Sequence, residues 1–546
     1  MPSQQKPWSM TRVIAASSTG TAFEWYDFFI FGSLTPVIAK TFLAGLDPTS
    51  ALIAALALFA VGFAFRPLGA IIFGAMGDRV GRKATFLTTV SLMGGATFAI
   101  GLLPTYAQAG LVAPILLIFL RICQGTALGG EYGGAAIYVA EHAPDHKRGE
   151  ATGWIQSSAS LGLLAALGVI VATRTALGVE AFDAWGWRIP FLASALLLAI
   201  SLWMRVKLSE SPTFAKLRDE GELSKAPLRE AFARKDSLKQ VLIAFFAIMC
   251  AQGAVWYFTF FYMQVFLEKS LGLPAATKDW LLIAMTLVSA PLYVVFGALS
   301  DRVGRKPVML GGMLLGLALY FPGSHLIAAS VNPALVEAQR SAPVVVLTDP
   351  TTCAVQFDPT GTRRFDSACD IAKSLLVAKG ISYANAASPD GSTSIRIGSG
   401  SLAVTGGEKL DGPGLKALKT ATGDSLKAQL VAAGYPATAD PKAVHYPTLL
   451  LVLFGFVVAA TALYGPQAAA LVEMFPTRIR YTALSLPYHI GTGWVGGFLP
   501  VTSFAIVAIT GDIYAGLWYA VGFTALSAVV TILFLKETRG KALAEV

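Results

Sequence analysis

The feature that most limits this chain is a succession of apolar runs, each long enough to cross a bilayer. A hydrocarbon core about 30 Å thick needs roughly 20 residues of helix, and inside it every backbone group must be satisfied by the chain itself. Such runs lie near 12–40, 52–77, 84–104, 112–141, 152–174 and 187–206, then near 239–267, 280–299, 307–328, 447–471, 482–510 and 514–535. Composition agrees with a lipid-facing surface: 55% of the 546 residues are hydrophobic, 14% are charged and mean hydropathy is +0.61. A water-soluble fold of this size needs far more charged surface. The sequence therefore reads as an all-α membrane protein with 12 transmembrane helices in two six-helix halves.

A net charge of +9 raises the question of nucleic-acid binding, and the placement of the charge argues against it. Arg79, Arg82 and Lys83, Lys147 and Arg148, Arg205 through Lys239, Arg302, Arg305 and Lys306, Arg478 and Arg480, and the tail from Lys536 fall in alternate short connections. The segments 41–51, 105–112 and 508–514 carry almost no positive charge. The positive-inside rule then places both termini in the cytoplasm of a bacterial inner membrane. Met1–Arg12 leads into a run too long and too acidic for a cleaved signal peptide.

The halves share a word. Gly74-Ala-Met-Gly-Asp78-Arg79-Val-Gly81-Arg82-Lys83 follows the second run, and Gly297-Ala-Leu-Ser-Asp301-Arg302-Val-Gly304-Arg305-Lys306 follows the eighth. Recurrence at equivalent loops marks a duplicated unit. Gly74, Asp78, Arg79, Gly81, Arg82, Asp301, Arg302, Gly304 and Arg305 read as a cytoplasmic gate in which an Asp and several Arg latch helix ends, with Gly allowing a positive-φ turn and Arg anchoring to anionic lipid. Topology charge alone would explain the Arg and Lys but not the repeated Asp and Gly.

The domains read as 1–206, a six-helix half; 207–238, a cytoplasmic linker; 239–328, the start of the second half; 329–446, a polar insert; and 447–546, the remainder. The insert, between the ninth and tenth runs, reads as a small α+β extracytoplasmic domain. Strands are expected at Val344–Leu347, Ala354–Phe357 and Ser394–Ile397, and helices at Asp366–Lys379 and Leu415–Ala433. Parity of the runs makes it periplasmic, where Cys353 and Cys369 can pair and close a loop of about 15 residues, worth roughly 3 kcal/mol in the chain-entropy model. Two unpaired buried thiols are the alternative. Cys123 and Cys250 lie in apolar runs.

An ionisable side chain at membrane depth is costly unless paired or wet, so each one is a functional candidate. Glu24 and Asp27 share a helix face about 18 to 22 Å from the cytoplasmic start at 1.5 Å per residue. Arg121, at comparable depth on the fourth run, is expected to neutralise one carboxylate while the other titrates, tying protonation of Asp27 or Glu24 to occupancy. A static ion pair between helices is the plain alternative. Arg66 and Arg121 also suit a substrate carboxylate through the guanidinium fork, or else only satisfy Glu24, Asp27 and Glu131. Tyr26, Gln124, Glu131, Tyr132, Gln252, Trp256, Tyr257 and Tyr464, with Gln156, Tyr293, Gln467 and Tyr488, are candidate lining of a midplane cavity, and most such groups simply pack. A single His489 on an apolar helix is more often hydrogen-bonded core than a proton relay.

No phosphate loop, Cys-x-x-Cys or His-Glu-x-x-His occurs, so neither ATP nor a metal is expected, and the chain is not read as an enzyme. The repeated Gly-x-x-x-Asp-Arg-x-Gly-Arg-Lys resembles the signature of the major facilitator superfamily. Glu24-Trp25-Tyr26-Asp27-Phe28, Arg66-Pro67-Leu68-Gly69, Arg121-x-x-Gln124-Gly125-x-x-x-Gly129-Gly130-Glu131-Tyr132-Gly133, Trp185-Gly186-Trp187-Arg188-Ile189-Pro190-Phe191, Glu210-Ser211-Pro212 and Glu473-Met474-Phe475-Pro476 resemble its metabolite:H+ symporter subfamily. The resemblance covers all but the insert. It implies the major facilitator fold and alternating-access symport of a small polar metabolite with H+, the substrates in that subfamily including oxoglutarate, citrate, shikimate, proline and betaine. An organic acid is expected on the strength of Arg66 and Arg121. The alternatives are a proline/betaine-type zwitterion, an efflux antiporter of the same fold, and a membrane sensor using the insert. The working unit is expected to be a monomer meeting only its small-molecule substrate and lipid.

Overall fold

The computed structural model describes residues 10–43, 58, 61–206, 210–349, 351, 353–354 and 364–543. The first apolar run divides at Leu34 into α1 (Met10–Ser33) and α2 (Thr35–Phe42), whose first turn contains a proline that lacks the donor a continuous helix would need. Of the second run, 52–57 and 59–60 lie outside the described residues, and its later part forms α3 (Arg66–Arg79). The first half continues with α4 (Arg82–Leu102), α5 (Val112–His142), α6 (Arg148–Leu177) and α7 (Arg188–Val206). The second begins with α8 (Lys235–Ser270), α9 (Ala275–Val303) and α10 (Arg305–Val331).

A short helix at Pro333–Ser341 comes next, followed by four strands and two longer helices: β1 (Val344–Thr348), α11 (Ala368–Ala378), β2 (Tyr383–Ala387), β3 (Thr393–Ile397), β4 (Gly400–Val404) and α12 (Gly412–Ala432). The bundle resumes with α13 (Tyr446–Met474), α14 (Arg480–Val507) and α15 (Leu517–Phe534). Among the described residues, ten helices are long and apolar enough to cross a membrane. α1 is outside that set because Ser17, Ser18, Thr21, Glu24 and Asp27 dilute its apolar character.

The halves meet where α6 lies along α9 and α3 along α14. Gly149 and Gly297 touch backbone to backbone, so a side chain on either would strike the other's carbonyl. Backbone wound as π-helix interrupts α8 at Ala244–Met249, Phe258–Tyr262 and Phe266–Ser270, and α14 at Gly491–Gly496. Such underwound turns are weak points at which a helix bends.

The strands form one sheet in the order β2-β1-β3-β4, with β1 parallel to β2 and antiparallel to β3. A parallel pair needs a crossover, and α11 supplies it. Val344, Val346, Ile395 and Ile397 bury alternate positions against the helices. A disulfide joins Cys353 to Cys369 in the first turn of α11. α11 starts at Ala368 because Ser367 Oγ accepts from Asp370 N at 3.0 Å. α12 starts at Gly412 because Asp411 Oδ1 accepts from Gly414 N at 2.8 Å, earlier than the apolar pattern from Leu415 suggests. Most of the strand expected at Ala354–Phe357 lies outside the described residues. β2 and β4 were not anticipated: their Ala, Gly, Ser and Asn are poor strand formers, held here by pairing to β1 and β3.

Candidate functional site

Polar chemistry inside the bundle collects at three levels. The first lies within the N-terminal half, where Glu24 and Asp27 sit one turn apart on α1 and both are buried. Arg205 Nη1 donates to Glu24 Oε1 at 2.6 Å, and the guanidinium lies 3.6 Å over the Phe86 ring. The Ser194 hydroxyl donates to Asp27 Oδ1. Both partners come from α7, so one helix satisfies one carboxylate with a charge and the other with a neutral group.

This corrects the expected role of Arg121, which forms no ion pair with either carboxylate. Its Nη1 donates to Gln124 Oε1 at 2.7 Å, its Nε to Leu58 O at 3.2 Å, and it stands 4.0 Å over Phe31. Phe31 is seven residues along α1 from Glu24, about 10 Å at 1.5 Å per residue, which puts Arg121 two turns away. Gln124 completes that network by donating to Thr97 Oγ1 at 2.7 Å, and Tyr26 donates to Pro190 O at 2.9 Å, so both serve the N-terminal half.

The second level lies between the halves. Arg66 is 1% exposed, with its guanidinium 4.8 Å over Phe28 and 4.3 Å over Phe63. Its Nε and Nη2 have no hydrogen-bond partner, and it forms no ion pair among the described residues. Phe63 meets Tyr257 edge-on at 6.1 Å, and Gly493 of α14 packs against the Arg66 stem. Beside it the rings of both halves interlock. Tyr132 stacks on Tyr488 at 3.7 Å, Tyr464 and Tyr488 share a 2.9 Å hydroxyl bond, and Trp256 packs 6.1 Å from Tyr464 while donating to Tyr293 OH at 2.8 Å. Gln156 Nε2 donates to Tyr132 OH at 2.6 Å. Glu131 Oε1, Gln252 Oε1 and both amide atoms of Gln467 are buried without partners. Unmet polar groups at such density are what a ligand of matching polarity would satisfy.

The third level is the end of the bundle carrying the repeated word. Asp78 Oδ2 accepts from Thr482 N at 2.8 Å and its Oδ1 from Tyr481 N at 3.2 Å, at the N-terminus of α14. Asp301 accepts from Gly149 N and Glu150 N, both at 2.8 Å, at the N-terminus of α6. Each Asp therefore caps a helix of the opposite half. Arg82 holds Asp78 at 3.0 Å, Arg305 holds Asp301 at 2.6 Å, and Gly81 and Gly304 take φ of +126° and +110° to turn the chain between them. Arg79 instead reaches the Lys225 carbonyl and Arg302 is exposed, so neither belongs to the latch expected of them.

Four latch residues were missed. Arg480 pairs with Glu141 at 2.7 Å and Arg148 with Glu473 at 2.8 Å, both across the halves, and Arg305 also reaches Glu473 at 3.0 Å. A second repeated word carries them, Glu141-x-x-Pro144-x-x-x-Arg148 and Glu473-x-x-Pro476-x-x-x-Arg480, and its spacing was there to be seen. The tail after α15 joins in: Thr538 Oγ1 donates to Glu473 Oε2 at 2.7 Å, and Arg148 donates to Lys541 O at 3.2 Å.

Residues 18–336 match the family model described as Major Facilitator Superfamily, and residues 426–546 match the one described as Sugar (and other) transporter. A proline/betaine transporter of Salmonella typhimurium is 37% identical over 331 residues, 59% of this chain but just under two thirds, 66%, of that relative. An inner membrane metabolite transport protein of Escherichia coli is 37% identical over 335 residues, covering 60% of this chain and 75% of the relative. Among solved structures, the proton:xylose symporter XylE bound to 6-bromo-6-deoxy-D-glucose superposes with a TM-score of 0.64 at 16% identity, over 98% of each chain, a likeness of fold.

Proposed function

This chain belongs to the major facilitator superfamily, and on that premise we propose that it is a proton-coupled symporter importing a small polar metabolite, an organic acid. The observation that carries the reading is Arg66, a buried guanidinium between the halves with two nitrogens unmet. A cation in that setting is stabilised by a carboxylate arriving with the substrate, bound through the guanidinium fork. Glu24 and Asp27 are the proton sites of this reading: both are buried, and Asp27 has a hydroxyl rather than a cation beside it. The Asp78 and Asp301 latches form the cytoplasmic gate, shut in this state, and 332–445, the part of the expected 329–446 insert that lies between α10 and α13, is periplasmic.

A zwitterion is the second reading, favoured by the interlocked rings of Trp256, Tyr293, Tyr464, Tyr132 and Tyr488. Aromatic faces attract an ammonium group without a full counter-charge. The proline and betaine named in the relative's description have this chemistry.

The test is uptake into proteoliposomes of labelled oxoglutarate, citrate, shikimate, proline and glycine betaine, with and without an inward proton gradient. Accumulation of one solute only under the gradient supports symport and sorts acid from zwitterion. Uptake indifferent to the gradient, or none for any solute, overturns the proposal.

A further inference from the structure

The insert is fastened to the bundle at several points, and every one named here belongs to the C-terminal half. Tyr383 N donates to Gly511 O at 2.7 Å, and Asn385 Nδ2 to Thr510 O at 3.2 Å, so β2 is anchored to the connection between α14 and α15. Ile513 N donates to Ser382 Oγ at 3.4 Å beside them. Ala439 N donates to Gly272 O at 3.0 Å, just beyond the end of α8, and His445 N to Ser330 O at 2.8 Å in the last turn of α10.

Close approach at two of these points depends on glycine. Gly380, with φ of +66°, lies against the Ser270 backbone, and Gly511, with φ of +82°, lies against the Tyr383 carbonyl, so any side chain would collide. Ile381, Tyr383 and Ile513 are buried, and one continuous apolar cluster runs from the bundle helices into Ile371, Leu376 and Ile395 of the insert. The insert is thus no tethered satellite. It shares the core of the half that carries it.

Its attachment also falls at a weak point. α8 has two underwound segments in its last turns, Phe258–Tyr262 and Phe266–Ser270, where the helix would bend most readily. The chain just beyond is gripped by Gly380 at Ser270 and by Ala439 at Gly272, while the same insert holds the connection at 509–513.

We propose that the insert is a rigid brace that ties the end of α8 to the α14–α15 connection, so that the C-terminal half and the insert move as one body and access at this end changes by movement of the N-terminal half. Reference to a transport cycle rests on the function proposed above. The brace itself is read by cross-linking, which needs no substrate.

The test is the full chain with Ser382→Cys and Ile513→Cys in proteoliposomes, oxidised and then reduced beside the unaltered chain treated alike, which subtracts the effect of opening Cys353–Cys369, and made also in an Asp78→Asn background that weakens the opposite latch. The expected result is a bond that forms to the same extent in both backgrounds, with uptake of the labelled panel changing by no more than about twofold between locked and reduced protein, as for two parts of one rigid body. A bond that fails to form, forms less in the Asp78→Asn background, or on forming lowers uptake by about tenfold or more with recovery on reduction overturns the brace. Should the double variant not fold, hydrogen exchange on the unaltered chain and on Asp78→Asn decides: equal protection of 381–387 and 509–513 supports the brace, and loss of protection in the variant overturns it. Absence of uptake in every form counts against the symport reading alone, since cross-linking still reports on the brace.

Discussion

At the residue scale, Arg205 and Glu24 are mutually dependent because each is a charge that water does not reach. Arg205→Ala leaves the carboxylate uncompensated and is expected to destabilise the protein by about 3 to 5 kcal/mol, with the companion Glu24→Gln recovering much of that loss. Thermal melting of the single and double variants checks it. Arg66→Lys keeps the charge but loses the fork, and should weaken uptake by roughly 10- to 100-fold at normal expression, equivalent to one charge-assisted hydrogen bond. Sequence reasoning found the two carboxylates because a charge in an apolar run is conspicuous by itself. It assigned them the wrong cation because Arg205 stands at the end of its run and looks like interfacial charge. Which way α7 turns its last residues is decided by packing against Phe86 and α1, and a single sequence does not carry that.

At the scale of elements, two of the latch carboxylates, Asp78 and Asp301, bind helix N-termini, where unpaired N–H groups and the helix dipole favour negative charge. Asp301→Asn keeps one acceptor oxygen but loses the second and the charge, and should weaken its cap by about 1.5 to 3 kcal/mol, and Asp78→Asn likewise. The partners of the two caps do not overlap, so the effects should add in the double variant. The readout is labelling of a cysteine placed at buried Ser485 by a reagent applied from the side that carries the repeated word, expected to rise in each variant and most in both together. The contact between the halves was half legible: the repeated word marks Asp78 and Asp301, which do bridge the halves, but its charged counterparts occur in a second word whose spacing only becomes meaningful once α6 and α14 are seen to occupy equivalent places. In the insert, the Val- and Ile-rich β1 and β3 could be read directly, whereas Tyr-Ala-Asn-Ala-Ala of β2 is a strand only because β1 offers it an edge.

At the scale of the whole molecule, hydropathy and the repeated word were enough to indicate the superfamily, because lipid imposes one solution on long apolar runs and duplication leaves its mark in the loops. Where the insert docks was not legible, since its fastenings are backbone groups of 270–272, 330 and 509–513 that have no side-chain signature. Replacing Cys353 and Cys369 with Ser should lower the stability of the insert by about 3 kcal/mol, seen as faster hydrogen exchange in β1 and β3. The latch has one more consequence. Arg82, Arg148, Arg305 and Arg480 are all at most 1% exposed, and dissolved ions weaken exposed charge pairs far more than buried ones. If the protein alternates access as proposed, the balance between its two faces should therefore hold nearly constant as the salt content on the latch side rises and falls.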